Sequence, residues 1–201
     1  MANLNSLFGS KVFNDSVMKE RLPKETYISL RDTISAGKEL DLSDVKGLIS
    51  HEELMKKLNA IAIITNIELK TGVYTYPGIE EKTLAMIDDF GMRDKIIISS
   101  FNHYSVKRMQ ALAPDMVYGF LEESRLINTP AYVASNGVQA VHPEYHMVDG
   151  EFMEQAKEHG LAVNVWTVNN ENSMRRLAEL GVDIMIGNYP DLCGEVLKSL
   201  K

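Results

Sequence analysis

Glu68 and Lys70 stand two residues apart at the end of Ile61-Ala62-Ile63-Ile64-Thr65-Asn66-Ile67-Glu68-Leu69-Lys70, and this pair points most directly to chemistry. The first half of that run is apolar on both faces, as a strand buried in a parallel sheet is. The second half alternates, so Ile67 and Leu69 point one way and Asn66, Glu68 and Lys70 the other. Polar groups at the C-terminal end of a parallel strand lie where α/β proteins build their sites. A carboxylate there can hold a hard cation or move a proton, and an ammonium can meet a phosphate or a carboxylate. The alternative is an internal Glu–Lys pair that holds two strands together.

Two other strand ends carry the same kind of signal. In Ile96-Ile97-Ile98-Ser99-Ser100-Phe101-Asn102-His103 an apolar run turns polar at its C-terminal end. In Val163-Asn164-Val165-Trp166-Thr167-Val168-Asn169, Asn164 and Trp166 share a face opposite Val163 and Val165. That indole is either a substrate wall or a core tryptophan. Of the five histidines, His103 and His142 sit at strand ends and are candidates for proton transfer. His51 lies in a capping-box pattern, His159 precedes a glycine at a helix end, and His146 lies in a loop. No Gly-x-Gly-x-x-Gly, P-loop or Gly-x-Ser-x-Gly element is present in the sequence.

The elements that must position these groups follow a regular rhythm. β-rich runs are expected at residues 61–69, 95–101, 116–121, 138–142, 162–168 and 183–186. Helical spacing is expected at 78–90, 151–159 and 171–180, the three ending at Gly91, Gly160 and Gly181. This period is that of consecutive βαβ units with a parallel sheet. Residues 1–45 differ, with one expected helix at 24–35 and no convincing strand, and a domain boundary is expected near residues 41–47.

Composition narrows the function classes. The 201-residue chain is 45% hydrophobic and 24% charged, an ordinary globular balance. With 21 Lys+Arg against 28 Asp+Glu it carries −7 and no basic run, which disfavours nucleic-acid binding. No apolar run approaches the roughly 20 residues of a membrane span. The N-terminal segment has internal charge and does not read as a secretory signal. Cys193 is the single cysteine, so an internal disulfide and a cysteine-built zinc site are excluded. A cytoplasmic location is expected.

Five motifs then come in one order: Asn66-Ile67-Glu68-Leu69-Lys70, Ile97-Ile98-Ser99-Ser100-Phe101-Asn102-His103, Val141-His142-Pro143, Asn164-Val165-Trp166-Thr167-Val168-Asn169, and Gly181-Val182-Asp183 with Tyr189-Pro190-Asp191. Together, over residues 48–200, they resemble the C-terminal two-thirds of a bacterial glycerophosphodiester phosphodiesterase. The resemblance implies a (β/α)8 barrel that hydrolyses glycerophosphodiesters to glycerol 3-phosphate and an alcohol with a divalent cation, Mg2+ or Ca2+. It implies that Glu68 is a metal ligand, that Lys70 faces the phosphate, and that Phe101 and Trp166 line the substrate pocket. Gly187-Asn188-Tyr189-Pro190 departs from the family's Thr-Asp-x-Pro.

The family's remaining equipment belongs to its first three strands: a His-Arg pair, a Glu-x-Asp pair and a His-Asp pair. Here the histidines are followed by Glu, Tyr, Pro, Met and Gly. Residues 7–42 are instead similar to the start of type III glutamine synthetases. The expectation is therefore a fusion: a mostly helical or irregular leader at 1–45, and at 46–201 an incomplete barrel lacking about its first three strands. Such a barrel exposes two sheet edges and is expected to self-associate or misfold, with weak or absent turnover. The alternative is a non-catalytic half-barrel that binds a phosphorylated ligand or a partner chain.

Overall fold

Short strands and helices alternate along the computed structural model, which describes Lys56 and residues 64–200. The expected leader, the helix at 24–35, the boundary near 41–47, the capping box at 50–53 and the start of the first strand lie outside the described residues. Six strands are described: β1 Thr65–Glu68, β2 Ile96–Ser100, β3 Val117–Glu122, β4 Ala140–Pro143, β5 Ala162–Val165 and β6 Ile184–Met185. They form one sheet in sequence order, every neighbouring pair parallel. All six fall within the runs expected from the sequence, apart from the last residues of β3 and β4. Helices α1 Ile79–Asp89, α2 His103–Leu112, α3 Thr129–Ser135, α4 Gly150–Glu158, α5 Glu171–Leu180 and α6 Pro190–Ser199 separate and follow them. The expected stops at Gly91, Gly160 and Gly181 are present, each glycine at positive φ.

The two faces of the sheet have different partners. Ile98, Tyr118, Phe120, Val141, Val163 and Val165 share one face by register and are fully buried. They pack with Ile87, Val106, Met109, Val133, Met174 and Leu177 of the helices as the apolar core. Tyr118 marks this as the helix side, since its hydroxyl donates to the carbonyls of Met109 and Ala113 at 3.1 and 2.6 Å. The opposite face carries Asn66, Glu68, Ile97, Ser99, Val117, Gly119, Leu121, Ala140, His142, Ala162 and Asn164.

This second face is concave. Phe101, just past β2, and Trp166, just past β5, meet edge to face at 5.4 Å although two strands lie between them. On a flat sheet three strand spacings of about 4.8 Å would hold them well apart. The sheet therefore curls as a barrel wall does, yet among the described residues β1 and β6 each pair on one side only. The fold is α/β, a six-stranded open half-barrel, as the sequence led one to expect.

Candidate functional site

The concave side at the C-terminal strand ends collects the residues singled out from the sequence. Glu68 is the last residue of β1, and its Oε1 lies 3.2 Å from Lys70 Nζ. The two side chains are 30% and 79% exposed. The pair therefore lies within one strand end and does not tie two strands together, which removes that alternative. Exposed pairs of this kind contribute only about 0–1 kcal/mol, so the stability of the fold gives little account of it.

Phe101 and Trp166 close the opposite part of the mouth with their T-shaped contact. The Trp166 indole N–H donates to the His142 carbonyl at 2.9 Å, which fixes the ring's direction. Phe101 is 43% exposed and Trp166 half-buried, so both offer apolar surface to the concavity. The reading of Trp166 as a purely core residue does not hold. Hydrogen bonds between the segments after β1 and β2 place Lys70 and Phe101 on adjacent strand ends.

The two candidate histidines are not exposed at this mouth: one is sealed beneath it and the other lies on the helix side. His142 faces the concavity but is fully buried. Its Nε2 lies 3.0 Å from the Asn164 side-chain amide, a buried hydrogen-bonded pair. Burial pushes its pKa down to about 4, leaving a neutral ring. Gly119 gives that ring its room, for a Cβ there would lie 2.3 Å from His142 Nε2. His103 opens α2 on the helix side, stacked on Phe120 at 3.9 Å. Its Nδ1 lies 3.0 Å from the Tyr132 hydroxyl, and its Nε2 lies 3.1 Å from the Leu121 carbonyl and 3.6 Å from Glu122 Oε1. Burial raises the Glu122 pKa, and the neighbouring His103 pulls it back. Alternation along β3 sets Glu122 on the helix side with Phe120, and its burial is not legible from one strand alone.

Glu68 is a hard oxygen donor at the mouth, as a divalent cation requires. Among the described residues there is no group of three or more His, Cys, Asp or Glu that could hold a metal ion. The described residues do not by themselves fit a Mg2+ or Ca2+ site. Among them, too, no helix is long and apolar enough to cross a membrane.

A curled parallel sheet with polar and aromatic groups at its C-terminal mouth defines a protein of the (β/α)-barrel class. Comparison with known proteins supplies the family. The model of the glycerophosphoryl diester phosphodiesterase family matches residues 4–192, and the chain belongs to that family. A glycerophosphodiester phosphodiesterase of Caldanaerobacter subterraneus subsp. tengcongensis is 34% identical over 128 residues, 64% of this chain and 53% of that protein. The chain thus spans about half the length of that relative. A structure from Silicibacter pomeroyi, assigned as a glycerophosphoryl diester phosphodiesterase, superposes with a TM-score of 0.70 at 25% identity, over 75% of this chain and 56% of that one. An Oleispira antarctica phosphodiesterase, solved in complex with the product sn-glycerol-3-phosphate, shares the fold with a TM-score of 0.62 at 19% identity, over 74% of this chain and 60% of that one. The family match opens at residue 4 and runs through residues 7–42, so the glutamine-synthetase-like leader and the chimera find no support.

Proposed function

We propose that this chain serves the family reaction, the hydrolysis of glycerophosphodiesters to glycerol 3-phosphate and an alcohol. One observation carries the reading: the exposed Lys70 ammonium sits beside the Glu68 carboxylate on one strand end, with the Phe101–Trp166 pair facing the same concavity. An ammonium on a flexible stem meets a phosphate as a point charge. The two rings offer the organic part of the ligand an apolar wall. Glu68 is the residue here with the chemistry for the divalent cation that the family resemblance implies, though alone it makes no site. The glycerol 3-phosphate bound by the Oleispira protein is the kind of ligand this mouth would take. The family match from residue 4 favours treating residues 7–42 as family sequence over a borrowed leader.

A second reading is favoured by the histidines. With His142 buried and neutral and His103 turned to the helices, neither candidate histidine stands at the mouth as an accessible acid or base. A general acid or base contributes about 10²–10⁴-fold, so turnover without one would be weak. On this reading the chain binds a phosphorylated ligand without converting it. Release of glycerol 3-phosphate from glycerophosphocholine, with Mg2+ or Ca2+ and then EDTA, decides between the two. Cation-dependent release that Glu68→Ala abolishes is the result expected of the first. No release above the Glu68→Ala background leaves only the second.

A further inference from the structure

Ser100 and Asn102 flank Phe101 just at the end of β2, and neither has a role in the reading above. Ser100 is fully buried. Its hydroxyl accepts the Asn102 backbone N–H at 3.0 Å and donates its only proton to the Leu69 carbonyl at 2.5 Å. The Asn102 side-chain amide donates to the Thr71 carbonyl at 3.2 Å. Leu69 in addition donates its N–H to the Ser99 carbonyl at 2.8 Å, and its own carbonyl accepts the Thr71 N–H at 3.1 Å. Leu69 and Thr71 are therefore both buried and tied down, while the Lys70 side chain between them stays 79% exposed. The backbone on either side of Lys70 is fixed, and its ammonium, paired with Glu68, stays exposed to a ligand. On its other side the same tripeptide holds Phe101 against Trp166.

We propose that Ser100 and Asn102 are positioning residues, a hydrogen-bonded clasp that sets Lys70 and the Phe101–Trp166 wall relative to one another across the mouth. The proposal rests on the phosphate-site reading of that mouth. A lysine has a long stem with many rotamers, and anchoring its backbone at both neighbours narrows the volume its charge explores. Orientation of this kind is what a binding group needs, since small misplacements of a positioning element cost large factors in reaction or affinity.

Trp166 is the single tryptophan of the chain, so its emission reads the mouth directly. Without ligand, Asn102→Ala shifts that emission in the direction of Phe101→Ala, and the double variant goes no further than Phe101→Ala alone. Titrated with glycerol 3-phosphate, Asn102→Ala binds about tenfold more weakly than the unaltered chain. In a Lys70→Ala background the same substitution changes affinity by less than about twofold, because a residue acting through Lys70 has nothing left to act through. Ser100→Ala follows the same pattern and Ser100→Thr, which keeps the hydroxyl, restores affinity. Asn102→Asp, which keeps the shape but loses the donor, replaces Asn102→Ala if that variant does not fold. A folded Asn102 variant with unchanged emission overturns the clasp. So does an equal loss of affinity with and without Lys70. If the unaltered chain binds no glycerol 3-phosphate, the phosphate-site reading fails, and the emission arm decides the clasp on its own.

Discussion

At the scale of single residues, the concave face is decided by how one glycine and one histidine share space. A Cβ at residue 119 would fall 2.3 Å from His142 Nε2, and the ring it would displace is wholly enclosed. Gly119→Ala is therefore expected to destabilise the protein by about 1–3 kcal/mol, read from the midpoint of a urea titration. His142 also makes stability depend on pH. Its folded pKa of about 4 lies below the ordinary value of 6.5, so the stabilisation is complete above 6.5 and is lost as pH falls towards 4. The loss over that window amounts to roughly 3 kcal/mol, and a His142→Gln variant should lack this part of the slope. Equal slopes for the two proteins would remove His142 from the account. The sequence marks His142 as a strand-end histidine but not as a sealed one. Its burial depends on Gly119 and Asn164, which come from other strands and become neighbours only once the register is set. A glycine inside a β-rich run is the one local signal of such a close approach.

Elements were the most legible scale, because periodicity and helix-ending glycines are local properties. Each expected strand has its counterpart, and the helices at 78–90, 151–159 and 171–180 appear as α1, α4 and α5. Helices α2, α3 and α6 carry weaker signals. Helix α3 has seven residues, and α2 mixes Lys107, Arg108 and Gln110 into its middle. Packing supplies what their patterns lack. Glu80, buried in the first turn of α1, accepts from Ser105 Oγ at 2.5 Å and from Arg108 Nε and Nη2 at 2.9 and 2.7 Å, both residues on α2. Its replacement by alanine leaves those donors without their acceptor, at an expected cost of about 2–3 kcal/mol. Glu80→Gln should recover part of it, since the amide oxygen still accepts. Thermal unfolding of the two variants checks this, and a Glu80→Ala protein as stable as the original would contradict the clamp.

On the scale of the whole molecule, an open parallel sheet leaves backbone donors and acceptors along its edge strands. Among the described residues β1 pairs only with β2, and β6 only with β5. Val117 and Ile184, on the concave side, are 42% and 41% exposed. Edges and apolar surface of this kind favour strand-to-strand association. Light scattering should show an average mass that rises with concentration, and a monodisperse monomer over the same range would contradict that expectation. The α/β class with its parallel sheet followed from the strand rhythm, and the barrel and the family from the resemblance carried by five ordered motifs. What the sequence could not convey was that Phe101 and Trp166 touch, a contact made only when the sheet curls across two intervening strands. The central claim is that this mouth is a phosphate site built on Lys70 and walled by that aromatic pair. Titration of the chain with glycerol 3-phosphate, followed by Trp166 emission, tests it without any assumption about turnover or cation. A saturable change that weakens tenfold or more in Lys70→Ala is the predicted result. No saturable change, or one that Lys70→Ala leaves intact, would contradict it.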